Sequence, residues 1–91
     1  MWELISIVRP KVKAYWKFLA YSMGYCIYDV KRLEGDGKDL DERCYKLFED
    51  WLSTERGCTP KTWKKLLECI KAVEELNVVA KEIENKLSAK Q

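Results

Sequence analysis

The residues able to do covalent or metal chemistry in this chain are few. Cys26, Cys44, Cys58 and Cys69 stand 18, 14 and 11 positions apart, and there is no histidine anywhere. No CxxC pair exists to suggest a zinc knuckle or a dithiol centre. A chain without histidine lacks the commonest general base and the commonest metal ligand, so histidine triads and histidine-ligated zinc are excluded. Cys58 lies just ahead of an expected helix start, a setting that favours nucleophilic thiols, but no histidine can serve as its base. It reads as a turn cysteine, and Cys44, on an inward helical stripe, reads as a small apolar core residue. Asp39 and Asp41 sit at a helix start, where capping and the helix dipole account for carboxylates without catalysis. The expectation is a non-enzyme with no catalytic, metal or cofactor site.

The charges are distributed unevenly. Arg9, Lys11, Lys13 and Lys17 form an all-basic run, whereas Glu34, Asp36, Asp39, Asp41 and Glu42 form an acidic one relieved only by Lys38. Opposite patches on one domain allow it to bind copies of itself; the alternative is that these are ordinary solvated faces. Lys61, Lys64 and Lys65 open a later helix and motivate a second alternative, a small helical nucleic-acid-binding domain. With 17 basic against 15 acidic residues the net charge is only +2. The counterion-release contribution of so balanced a chain fades at physiological salt, so no nucleic acid is expected among its partners.

The elements that must position these groups are helical. At 91 residues and 47% hydrophobic composition the chain holds one domain over residues 1–91, with residues 88–91 expected to fray. At about this size roughly 60% of the unfolded surface is buried, so most large apolar residues must contribute to the core. The chain is too apolar and too weakly charged for intrinsic disorder. The longest uncharged stretch, Phe18 to Tyr28, is well short of the roughly 18 to 20 residues a membrane span requires, and no membrane insertion is expected. Met1-Trp2-Glu3 has no basic segment ahead of an apolar run and no small-residue cleavage site nearby. That predicts a cytoplasmic chain with reduced cysteines.

Val12, Trp16, Leu19, Ala20 and Met23 recur along one stripe of a helix, and Gly24 fits the left-handed position that ends it. Pro10 lacks an amide donor and restricts Arg9, which predicts a first helix kinked or split there, with Trp2 to Val8 a short separate piece. A second helix from Cys26 to Glu34 carries Ile27, Val30 and Leu33 before the breaker Gly35-Asp36-Gly37. Asp39 and Glu42 form a capping-box pair opening a helix with Leu40, Cys44, Leu47, Phe48, Trp51 and Leu52 inward, ending near Gly57. Thr59 as N-cap and Pro60 in the first turn open the next, with Trp63, Leu66, Leu67, Ile70 and Val73 buried. Asn77 caps the last helix, whose inner face is Val79, Ala80, Ile83 and Leu87. No segment alternates as a strand. The fold class is all-α, a compact antiparallel bundle of short helices.

From Trp16 to Leu87 the chain resembles a death domain, a six-helix module of intracellular receptor tails and adaptors. Trp16-Lys17-Phe18-Leu19-Ala20 followed by Met23-Gly24 is similar to the family's tryptophan, leucine-alanine and leucine-glycine string, and Asp29-Val30 with Leu33-Glu34 to its second helix. Asp39 to Trp51 resembles the fourth helix, Thr59 to Ile70 the fifth, and Leu76-Asn77-Val78-Val79-Ala80 the start of the sixth. Trp2 to Val8 can supply the front of the first. The related caspase-recruitment and pyrin modules are the alternatives within this superfamily. Two features depart from the pattern. Gly35 to Lys38 leaves little room for a third helix, which is expected to be short or absent. Ile27 and Tyr28 stand where the family carries polar residues, as either extra core or an apolar contact patch.

The resemblance implies a homotypic interaction module that recruits another death domain into an apoptotic or inflammatory signalling complex. It implies two docking faces: Lys11, Lys13 and Lys17 with Glu49 or Asp50 on one, and Lys31, Glu34, Asp36 and Asp39 on the other. An exposed ion pair contributes only about 0.2 to 1 kcal/mol, so several must act together.

Overall fold

A computed structural model of the chain describes the backbone of residues 2–89 and the side chains of residues 2–86. Among the described residues six α-helical segments follow one another: α1 Trp2–Val12, α2 Trp16–Ser22, α3 Ile27–Asp36, α4 Leu40–Ser53, α5 Trp63–Ala72 and α6 Asn77–Ala89. Two single 3₁₀ turns, Lys13–Tyr15 and Glu74–Leu76, join α1 to α2 and α5 to α6. The described residues contain no strand, as the spacing predicts.

Ile5, Val8, Val12, Trp16, Leu19, Ala20 and Met23 are all buried and form one stripe across α1 and α2. The stripe survives an interruption that falls later than expected. α1 passes through Pro10 and ends at Val12, after which the chain tightens into the 3₁₀ turn, where Tyr15 (φ −115°, ψ 23°) leaves helical geometry. Pro10 and Ser6 are both exposed, so the carbonyl of Ser6, which loses its partner to the proline, can be satisfied by water. Gly24 ends α2 at φ +92°, the left-handed geometry expected of it.

Only Gly37, Lys38 and Asp39 separate α3 from α4, so the third helix of the resembled pattern is absent. Arg43 fills the gap: its Nε donates to the carbonyls of Glu34 and Gly37, both at 3.1 Å, and so caps α3 from a neighbouring helix. Asp39 caps α4 as expected, its Oδ1 accepting from the amide of Glu42 at 2.8 Å. Cys44, Leu47, Phe48 and Trp51 then point into the core. Leu40 does not. At 44% exposure it belongs to the first turn of α4, which the short connection leaves at the edge of the bundle.

α4 stops at Ser53 rather than near Gly57, and α5 starts at Trp63, capped by Thr62, whose Oγ1 accepts from the amide of Lys65 at 3.3 Å. Thr59 and Pro60 therefore lie in the connection and not in the helix. The reason is one long-range bond and one local one: the amide of Cys58 donates to Met23 O at 2.6 Å, and Trp51 Nε1 donates to Cys58 O at 3.0 Å. They hold the chain across the end of α2 and delay the next helix. Trp63 and Leu67 are half-buried, packed against the core rather than inside it, while Leu66, Cys69 and Ile70 take the innermost positions of α5. Ala80 and Ile83 of α6 and Val30 and Leu33 of α3 are buried. Leu87 and the expected fraying at 88–91 fall on residues whose side chains, and for 90–91 whose backbone, lie outside the described residues. No helix among the described residues is long and apolar enough to cross a membrane.

Candidate interaction surfaces

The basic run is divided by the helices that carry it. Arg9 on α1 reaches α4, its Nε 3.0 Å from Asp41 Oδ1 and its guanidinium carbon 5.2 Å from the ring centroid of Tyr45. Lys11 turns to α6 and meets Glu82 at 2.9 Å, while Lys17 on α2 pairs with Glu34 on α3. The ammonium of Lys17 bonds to Glu34 and holds its carboxyl below the ordinary range, and Lys11 does the same for Glu82. Lys13, Lys31 and Asp36 make no ion pair among the described residues. Lys17 and Glu34, expected on opposite docking faces, therefore join each other within one chain.

Glu49 and Asp50 lie on the side of α4 that faces α3. They line a shallow depression between α3 and α4 together with Arg32, Asp36 and Lys46. Asp50 is the better enclosed of the two, its side chain only 12% exposed, and it accepts from Tyr25 Oη at 2.8 Å and from Arg32 at 3.3 Å. Burial, with the Asp50 carboxylate beside it, raises the Tyr25 phenol above its usual value. Asp50 is thus a buttress between Tyr25 and Arg32, whereas Glu49 reaches Lys46 at 3.8 Å across the surface of its own helix. Asp39 is committed to its cap.

Exposed aromatic and apolar side chains that the charge pattern does not signal lie on the 3₁₀ turn before α2, on α2 and on α3. Tyr15, Phe18 and Tyr21 are exposed by 37%, 57% and 45% at steps of three, and Ile27 and Tyr28 by 52% and 79%. Ile27 and Tyr28 are therefore surface, not core. The signal for the aromatic trio was present in the spacing: Tyr15, Phe18 and Tyr21 interleave with the buried Trp16, Leu19, Ala20 and Met23 on the opposite side of the helix.

Two of the lysines that suggested nucleic acid are occupied internally. Lys61 donates to the carbonyl of Arg56 and lies 5.1 Å from the Trp51 ring centroid, and Lys65 pairs with Glu68 at 3.5 Å. Among the described residues no group of three or more His, Cys, Asp or Glu side chains is placed to hold a metal ion. The cysteines are more organised than their spacing implied. Cys58 Sγ and Cys69 Sγ are 3.2 Å apart, Cys44 is fully buried, and Cys26 is exposed with its thiol 3.2 Å from Asp29 Oδ2.

A family model described as Death domain matches residues 3–87. Comparison with curated proteins and with solved structures finds no match.

Proposed function

Because the chain belongs to the death-domain family, whose members are protein-interaction modules, we propose that it recruits another death domain, of its own kind or of a second protein, into an intracellular signalling complex. The family match over nearly the whole chain carries this reading. Its setting is the cytoplasm and its output apoptotic or inflammatory signalling. The docking groups are charged; Lys11, Lys17, Lys31, Asp36 and Glu49 are exposed, and Lys13 and Glu34 are partly so. Lys13 on the α1–α2 side, with Lys31 and Asp36 on α3, are available for first contact, and Lys11, Lys17 and Glu34 can exchange their internal partners for those of a neighbour. Glu49 extends the acidic side, while Asp39 acts by capping α4 and Asp50 by bracing Tyr25 and Arg32.

Such contacts are individually weak, so assembly depends on clustering, which raises apparent affinity by about 10² to 10⁴ through effective concentration. The test is to fuse the chain to a trimeric coiled coil and mix it with a panel of isolated death domains, its own copy included, monitoring by light scattering. At least one member should co-assemble. Lys13→Glu and Asp36→Lys, one on each side, should each weaken that assembly by about tenfold or more, with the helical circular dichroism unchanged. Failure to assemble with any member of the panel, or tight retention of duplex DNA at moderate salt instead, overturns the reading.

A further inference from the structure

We propose that Cys58 and Cys69 form a reversible thiol–disulfide site, closed by a low-molecular-weight disulfide such as oxidised glutathione and reopened by a thiol reductant. The two sulfurs are 3.2 Å apart, although one cysteine lies in the connection after α4 and the other in the middle of α5. Both are anchored to consecutive residues at the end of α2. The amide of Cys58 donates to Met23 O at 2.6 Å, and Ser22 Oγ donates to Cys69 O at 2.8 Å. A further bond, from Trp51 Nε1 to Cys58 O, fixes the Cys58 peptide from its other side. The thiols are therefore held together by the fold, and a bond of about 2.05 Å needs only a short approach of the side chains.

The two cysteines divide the chemistry by exposure. Cys58 is partly exposed, whereas Cys69 is 5% exposed. Burial and the neighbouring sulfur push the Cys69 thiol up to about 12, so the first attack falls to Cys58. Its thiolate displaces one half of the small disulfide, forming a mixed disulfide and releasing one thiol. Cys69 then gives its proton to solvent and attacks the Cys58 sulfur, forming the Cys58–Cys69 bond and releasing the second thiol. Two protein thiols are oxidised and one small disulfide is reduced to two thiols. The new bond ties the connection between α4 and α5 to α5 itself.

Cys26 is exposed and would trap glutathione independently, so the experiment uses the full chain carrying Cys26→Ser, a substitution that keeps a polar cap at the start of α3. In excess oxidised glutathione, the thiols titratable in denaturant should fall from three to one, and the mass should drop by about 2 Da as two hydrogens leave. A peptide map should link Cys58 to Cys69 and leave Cys44 free. Adding Cys69→Ser should stop the reaction with glutathione retained on Cys58; if that variant does not fold, the parent's map decides alone. Glutathione retained on Cys58 beside an unreacted Cys69 in the parent, or three thiols surviving the same buffer, overturns the proposal.

Discussion

The α1–α3 side of the bundle and the connection between α4 and α5 invert the usual association between regular structure and fixed contacts. The first is helical, yet what ties its helices at the surface, to one another and to α6, is a set of exposed ion pairs, Lys17–Glu34 and Lys11–Glu82 among them, each free to exchange partners in water. The second has little regular structure, yet its chain is held by shielded bonds, Trp51 Nε1 to Cys58 O and Cys58 N to Met23 O, and Tyr25 Oη to Asp50 braces the end of α4 beside it. Trp51 is fully buried and Tyr25 is 4% exposed, and Gly57 between them has φ +82°, where an added Cβ would stand 3.0 Å from both rings. A hydrogen bond in such a place has no water to replace it. The difference separates a part of the molecule that specifies the fold from a part whose surface contacts stay adjustable, where the proposed docking groups lie.

The largest effect is expected at Trp51. Trp51→Phe removes the indole donor, leaves the Cys58 carbonyl unsatisfied and opens a cavity, and should lower stability by about 2 to 4 kcal/mol in urea unfolding. Trp63→Phe is the matched control. Its Nε1 is shielded yet meets no hydrogen-bond partner among the described residues, so losing it removes no bond, and the loss should be well under half of that at Trp51. Equal losses at the two tryptophans would mean that ring volume alone holds the connection.

Tyr25→Phe comes next. The phenol donates to a carboxylate only 12% exposed, and bonds to charged groups of this kind contribute about 1.5 to 3 kcal/mol. Arg32 remains beside Asp50 at 3.3 Å, so the carboxylate keeps a partner and the loss should fall near the lower end. A change too small to resolve by urea unfolding would place Asp50 with the adjustable surface rather than with the fixed connection.

The two regions also differ in how far the amino-acid sequence announces them. Helical stripes were legible because burial follows the 3.6-residue period: Val12, Trp16, Leu19, Ala20 and Met23 in α2 and its approach, and Cys44, Leu47, Phe48 and Trp51 in α4, all lie where spacing puts them. The start of α5 was not. Thr59-Pro60 and Thr62 both offer a cap at the right distance from the apolar stripe, and what selects Thr62 is the pinning of Cys58 by Met23 and Trp51, 35 and 7 positions away. The same bonds bring Cys58 to Cys69, a contact that no cysteine spacing encodes. The charge runs were visible as runs, but their pairing was not, because Lys17 meets Glu34 only once α2 and α3 fold side by side. The packing of α3 against α4 likewise sets Glu49 and Asp50 beside Asp36, a residue of the other charge run.

The smallest expected effect on stability is the one that separates docking from folding. Lys17→Glu sets two carboxylates against each other, and Glu34→Lys sets two ammonium groups together, so each single variant should melt slightly below the parent. The double swap restores opposite charges and should recover most of the loss. Acid sharpens the comparison. Lys17 holds Glu34 below its ordinary 4.5, so the folded state binds that proton less readily than the unfolded chain. The contribution is present above that value and is lost as the pH falls through the lower folded value. Lys17→Glu should therefore flatten the acid limb of the stability curve, and the swap should restore its slope. Partner assembly has no reason to follow. The swap repairs the internal pair while inverting the charge that each helix presents, so a variant that regains its stability and its acid limb but stays deficient in assembly assigns Lys17 and Glu34 to the docking surface. Recovery of assembly together with stability would instead make the pair a strut of the bundle, and would move the recognition of partners to Lys13, Lys31 and Asp36.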